Sequence, residues 1–111
     1  MSRFIFSDNF KGLDVGYYEL NPFPGCNQLV VSNHATIFKA FRNKGYGARA
    51  ALHRINMAES LGYDAMIATV KDSNTPQKII MDRMGWSNVF SFENSETDNL
   101  IHVYMKNLNV D

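Results

Sequence analysis

The run Arg42-Asn43-Lys44-Gly45-Tyr46-Gly47-Ala48 carries the residue types that hold an anion. It follows an extended stretch, Ala35-Thr36-Ile37-Phe38-Lys39, and leads into a long helical pattern. Glycines at 45 and 47 permit a tight turn and close approach of the backbone to a ligand. The first N–H groups of a helix have no partner inside it and sit at the positive end of its dipole. A phosphate-bearing ligand, above all a pyrophosphate, is what such a loop can cradle. The alternative is a tight β-to-α turn that binds nothing.

Few side chains suit proton transfer. Imidazoles exchange protons near neutrality, which makes His34, just before the extended stretch, a candidate. His102 and Tyr104 fall on opposite faces of a late strand, and Tyr17, Tyr18 and Glu19 lie on an early one. Each has a plainer role available: capping a bulge for His34, and packing in a sheet for the others. The three His and the single Cys have no metal-ligand spacing. No Ser/His/Asp arrangement is legible, and the glycine loop lacks the Gly-Lys-Ser/Thr ending of a P-loop.

The 111 residues suit one domain, residues 1–111, and 45% hydrophobic with 20% charged content is globular rather than disordered. No apolar run approaches the ~20 residues that cross a bilayer. The start, Met1-Ser2-Arg3-Phe4, lacks a signal-peptide layout, and a lone Cys26 cannot form an internal disulfide; a reducing cytoplasm is expected. The net charge of zero hides an asymmetry. From Asn21 to Ala58 there is no acid, yet Lys39, Arg42, Lys44, Arg49 and Arg54 occur there. This block is either a solvated helix face or an electrostatic trap for a polyanion, and its centre on the glycine loop favours the trap. It also admits nucleic acid, but the bases are not interleaved with aromatics on a sheet, which argues against that partner.

Periodicity places the supporting elements. Strands are expected over Arg3 to Ser7 and Leu13 to Leu20, with a turn at Asn9 to Gly12. The stretch Asn21-Pro22-Phe23-Pro24-Gly25 reads as a loop. Leu29 to Val31 and Ala35 to Ala40 make one interrupted strand or two, with Ser32-Asn33-His34 as a bulge at the break. A helix spans about Tyr46 to Ser60, with Ala48, Ala51 or Leu52, Ile55, Ala58 and Leu61 on its apolar stripe and Arg49, His53, Arg54 and Asn56 elsewhere. Gly62 stops it. Ala65 to Val70 reads as a buried strand, which makes a parallel crossover with the strand before the helix. A second helix, Gln77 to Met84, starts from Ser73-Asn74-Thr75-Pro76 and uses Ile79, Ile80 and Met84 as its apolar face. Val89 to Phe92 and Leu100 to Met105 close the chain as a hairpin, with Phe90, Phe92, Ile101, Val103 and Met105 inward. The expected class is α/β (α+β): a mixed, mostly antiparallel sheet with a central βαβ unit.

This order, with a glycine loop after the central strand, resembles the GNAT (Gcn5-related N-acetyltransferase) superfamily. The family's pyrophosphate motif, Q/R-x-x-G-x-G/A, is matched by Arg42, Gly45 and Gly47. A long helix, a buried strand, Asn74, a short helix and Gly85-Trp86 then follow in the family's order, so that the resemblance covers Gln28 to the C-terminus. The region of N-terminal helices usual in the family has no counterpart here.

The resemblance implies a GNAT-like acyl-CoA N-acyltransferase fold and an acetyl-CoA-dependent N-acetyltransferase acting on an amine of a protein or small molecule. It implies that the backbone of Ala35, Thr36 and Ile37 bonds the pantetheine arm and that the amides of Asn43, Lys44, Gly45, Tyr46, Gly47 and Ala48 cradle the pyrophosphate. Arg42, Lys44 and Arg49 would add charge, and Asn74 is retained. The sequence departs from the family where a tyrosine often serves as acid, which is Met81 here, and where a glutamate often stands, which is Thr69. His34 and Asn74 are therefore the catalytic candidates. The alternative is a non-catalytic module of this fold that binds CoA or a protein. A homodimer is a further expectation, because so short a chain leaves apolar sheet surface exposed.

Overall fold

The computed structural model describes residues 2–109. Six strands and two helices follow in the expected order: β1 (Ser2–Asp8), β2 (Leu13–Phe23), β3 (Cys26–Ile37), α1 (Tyr46–Ser60), β4 (Ala65–Lys71), α2 (Thr75–Arg83), β5 (Ser87–Asn94) and β6 (Asn99–Asn107). They build one mixed sheet in the order β1-β2-β3-β4-β6-β5, in which only the β3–β4 pair is parallel. Helix α1 is the crossover between those two strands, so the mixed sheet with a central βαβ unit is as expected.

The parallel pair is short. Leu29, Val30 and Val31 face Ala65, Met66 and Ile67, and there the register ends. Beyond it β3 continues to Ile37 and β4 to Lys71, each held by its other neighbour. A bulge sits in β3 at the parting, where His34 and Ala35 together face the single Tyr18 of β2. His34 takes a left-handed φ of 55° to make it. Two strands thus open a fork in the middle of the sheet.

Both helices pack on one face of this sheet. Ile55 and Ala58 of α1 and Met81 of α2 meet Tyr18, Leu20, Val30, Met66, Ala68, Val70 and Tyr104 in one core cluster. A second cluster, Phe6, Val15 and Tyr46, anchors the start of α1. Gly16 lets β2 and β3 close up at this end: a Cβ there would lie 2.3 Å from the Thr36 carbonyl oxygen.

Four expectations change. Strand β2 runs through Asn21 and Pro22, which reads as loop in the sequence. Among the described residues its pairing with β1 reaches only Leu20, so Pro22 interrupts no described β1–β2 pair. Strand β3 ends at Ile37, and a short 3₁₀ turn over Lys39–Phe41 replaces its expected tail. In α2 the buried residue is Met81, while Ile79 is exposed. Phe90 and Phe92 on the edge strand β5 are exposed, because the sheet face opposite the helices has no cover among the described residues. The expected apolar sheet surface is present there.

The pair Asp8–Tyr46 ties the end of β1 to the first turn of α1. The Tyr46 hydroxyl donates to Asp8 Oδ2 at 2.7 Å, and Asp8 is buried. That hydrogen bond, with those from the Lys11 and Phe10 amides and the charge of Arg49, holds the Asp8 carboxyl below the usual carboxylate range, against burial. A depressed folded value contributes stability above the unfolded value of ~4 and loses it as pH falls through the folded one. Denaturant midpoints of the wild type and Asp8→Asn should therefore differ most above about pH 5 and converge progressively as pH falls below the unfolded value. A gap independent of pH would show that the carboxylate's charge is not what holds α1.

Candidate active site

The fork is the candidate site. Three adjoining hollows open along it, and Ala35 of β3 and Gln77 of α2 line all three. One, of about 510 Å³, lies between the parted strands and is lined by Ser32 to Ala35, Ala68 to Lys71, Asn74 and Met81. A second, also about 510 Å³, lies along the glycine loop. A small one joins them under Tyr17, Tyr18 and Arg54. From Ser32 onward the β4-facing edge of β3 has no strand partner, which leaves its backbone groups for an extended ligand apart from the Ile37 carbonyl, which accepts from Arg42.

The loop is built for backbone donation. Asn43 and Gly45 both have positive φ, 62° and 83°, which turns the chain tightly into α1. Gly45 occupies the N-cap with no side-chain cap, and no acid stands in the first turn, so the first amides of α1 have no side-chain acceptor. Ile37, Arg42, Asn43, Gly45, Tyr46, Gly47, Ala48 and Asn74 all line the loop hollow. Thr36 lines the small one. A Cβ on Gly47 would meet only Ile80 Cδ1, at 3.5 Å, so the unliganded fold has room for a side chain there.

The charges at the loop differ from expectation. Arg42 Nε donates to the Ile37 carbonyl at 2.9 Å, which buttresses the turn. Arg49 lies 3.6 Å from Asp8 and over the Tyr46 ring, and it lines none of the hollows. Lys44 is exposed and lines none either. The side chain of Tyr46 belongs to the core, so only its backbone is available to a ligand.

The charged residue that does reach the fork is Arg54, which sequence periodicity puts on the solvent face. It is 5% exposed. Nη1 donates to Ser32 Oγ at 3.3 Å and Nη2 to Met81 Sδ at 3.7 Å, while Nε has no partner. No carboxylate pairs with it among the described residues. Burial lowers its pKa to about 10, so it is charged at neutral pH. Across all three hollows no Asp or Glu contributes to the walls, whereas Arg42, Arg54 and Lys71 do. The signal in the sequence was the acid-free block from Asn21 to Ala58 rather than any pattern of spacing.

The catalytic candidates are brought to the fork in different ways. His34 lines it but is exposed, with Nδ1 3.7 Å from Glu19 Oε1. Glu19 is buried; its Oε2 accepts two bonds from Arg3, and Oε1 has no hydrogen-bond partner. Asn74 lines both large hollows, and its Oδ1 accepts the Gln77 N–H at 3.2 Å as the N-cap of α2. Met81 is fully buried on the wall, and Thr69 is on the rim. Tyr18 is buried, with its hydroxyl 2.7 Å from His53 Nδ1, and burial pushes its pKa up to about 12. Tyr104 is in the core and His102 lies away from the fork.

A Ser/His/Asp arrangement does exist, although none was legible. His102 is 2.7 Å from both Ser91 Oγ and Asp72 Oδ1, joining β5, β6 and the turn after β4. None of the three lines a hollow described above, and the group latches the terminal hairpin to the rest of the sheet. No group of three or more metal-ligand side chains occurs among the described residues. No described helix is long and apolar enough to cross a membrane.

No family model matches the chain, and no curated protein matches it. Solved structures do. A GNAT-family acetyltransferase from Bacillus anthracis matches with TM-score 0.75 at 18% identity, over 90% of this chain and 62% of that one. A Salmonella typhimurium protein described as an acetyltransferase, solved with its cofactor acetyl-CoA, matches with TM-score 0.81 at 16% identity, over 98% and 65%. The ribosomal-protein-S18-alanine N-acetyltransferase of Escherichia coli matches with TM-score 0.79 at 11% identity, over 99% and 70%. The chain thus spans less than two thirds of the first two. It has the fold of the GNAT acetyltransferases.

Removing the Asn74 side chain separates its two roles. Asn74→Ala should destabilise the protein by about 1 kcal/mol through the lost cap, and Asn74→Ser should restore most of it. Equal stability of Asn74→Ala and the wild type in urea denaturation would show that the cap contributes nothing.

Proposed function

We propose that this chain is an acetyl-CoA-dependent N-acetyltransferase that moves an acetyl group to an amine of a protein or small molecule by direct attack on the thioester. The observation that carries the proposal is the acid-free fork that joins a helix N-terminus to an unpaired strand edge. Its shape suits a long ligand with an anionic end. The amides of Asn43 to Ala48 would hold the pyrophosphate, and the backbone nest would contribute more than any exposed lysine or arginine, whose pairs are worth ~1 kcal/mol or less. The free edge of β3 at Ala35 to Ile37 would hold the pantetheine arm. Bound there, acetyl-CoA would supply an acyl group already activated as a thioester. The solved neighbour that carries acetyl-CoA on this fold supports the assignment.

The chain's own residues would prepare the acceptor. His34 is exposed at the mouth of the fork, where it would take the proton of an incoming amine, with Glu19 behind it. Asn74 would hold the wall opposite by fixing α2.

A second reading, a module of this fold that binds CoA without turnover, is favoured by Met81 and Thr69, which carry neither acid nor carboxylate.

The loop provides the test. Gly47→Val places its bulk where a diphosphate would lie, and its Cβ would meet only the flexible end of Ile80, at 3.5 Å, in the unliganded protein. Calorimetry should show coenzyme A binding to the wild type, and at least a tenfold loss in Gly47→Val, with little change in melting temperature. Acetylation of any member of a panel of amines then selects the enzyme over the binding module. Absence of binding by the wild type would overturn both readings.

A further inference from the structure

Arg54 is expensive where it stands. Taking a guanidinium out of water costs several kcal/mol unless a partner compensates. Here the compensation is a serine hydroxyl, a thioether sulfur and an Nε with nothing. Glu19, the buried carboxylate on β2, accepts from Arg3 through Oε2 and makes no hydrogen bond to Arg54. The cation therefore waits at the parting of β3 and β4 for an anion that the described residues do not provide.

The position of that anion within the fork limits its identity. The loop hollow and the inner hollow are different ends of one cleft, and Arg54 lines the inner end with Ser32 and Met81. A phosphate at the Asn43–Ala48 amides occupies the other end. Met81 presses a soft sulfur against the guanidinium already. Resting on the function proposed above, we propose that Arg54 is the binding site for the sulfur of coenzyme A in its thiolate form, and so discharges the product of acyl transfer without a neutral acid.

The chemistry balances without a further reagent. The new carbon–nitrogen bond forms as the carbon–sulfur bond breaks. The sulfur keeps the electron pair of the broken bond, and the amine's surplus proton passes to His34 and from that exposed ring to water. A cation beside that sulfur lowers the thiol's affinity for a proton, and an opposite charge within ~4–6 Å typically shifts a pKa by about 1–3 units. Of the other residues lining this hollow, Ala68, Val70 and Met81 are apolar and Gln77 is neutral, while His34 and Lys71 are the groups there that can carry a proton. Tyr18 lines the small adjoining hollow rather than this one; its hydroxyl is 2.7 Å from His53 Nδ1, and burial pushes its pKa up to about 12.

The test is a pH titration of the bound thiol. Ultraviolet difference spectra of the protein with coenzyme A, against the protein with desulfo-coenzyme A, report the thiolate. The desulfo reference subtracts every protein group that titrates, including Tyr18 on β2, His34 on β3, Lys71 on β4, His53 on α1 and the exposed thiol of Cys26. In the wild type the bound thiol should ionise about 1–3 units below free coenzyme A measured alongside. Arg54→Met, an apolar side chain of similar reach, should abolish the shift, and Arg54→Lys should keep part of it. A bound thiol that ionises at or above the free value overturns the inference, and so does a shift that survives in Arg54→Met. If Arg54→Met does not fold, the wild-type shift and its reduction in Arg54→Lys decide. Binding of desulfo-coenzyme A with an unshifted thiol removes the inference alone, whereas failure of both ligands to bind removes the proposed function as well.

Discussion

Strands β3 and β4 share three residue pairs and then part, and the rest of the molecule is arranged around that separation. A strand edge cannot be left dry and unpaired without cost. Most sheets meet the constraint by pairing to the end. Here the bulge at His34–Ala35 turns β3 aside, and Met81 and Arg54 fill the space below the parting. The free edge is left to water or to a ligand that can behave as a strand. That one interruption makes the cleft, aligns it with the start of α1, and explains why the helix serving as crossover is also a helix that lines the cleft.

The entrance is fixed by interactions that do not touch the cleft. Asp8 and Tyr46 hold the first turn of α1 against β1, while Arg49 stacks over the tyrosine. Arg42 holds the end of β3 through its carbonyl. With both ends of the loop tied, Asn43 and Gly45 can adopt left-handed backbone that a loose turn would not keep. The loop is thereby organised before a ligand arrives, which reduces the ordering cost of binding. The basic residues that look like phosphate ligands in the sequence are in part the braces of this loop.

The element order was legible because each signal is local. Gly62 and Gly85 close helices, Asn74 caps one, and the apolar stripes have clean periods. The bulge was legible too, as polar residues inside an apolar run. What escaped depended on neighbours distant in sequence. Pro22 sits in a strand because it pairs with Val30 of β3 and faces no described residue of β1, a fact of pairing rather than of proline. Phe90 and Phe92 are exposed because nothing described covers their face, though their alternation reads as burial. Arg54 is buried on a helix where charge normally signals solvent. In the site, the loop's hollow was foreseen through Arg42, Gly45 and Gly47. The burial of Tyr46, the diversion of Arg49 to Asp8 and the orphaned guanidinium needed the tertiary structure.

Backbone amide resonances followed during addition of coenzyme A test the central claim most directly. The account predicts that the largest perturbations fall on Asn43 to Ala48 and on Ala35 to Ile37, the two arms of the cleft. Perturbations centred on the β5–β6 hairpin, or absent from both arms at saturating ligand, would contradict it.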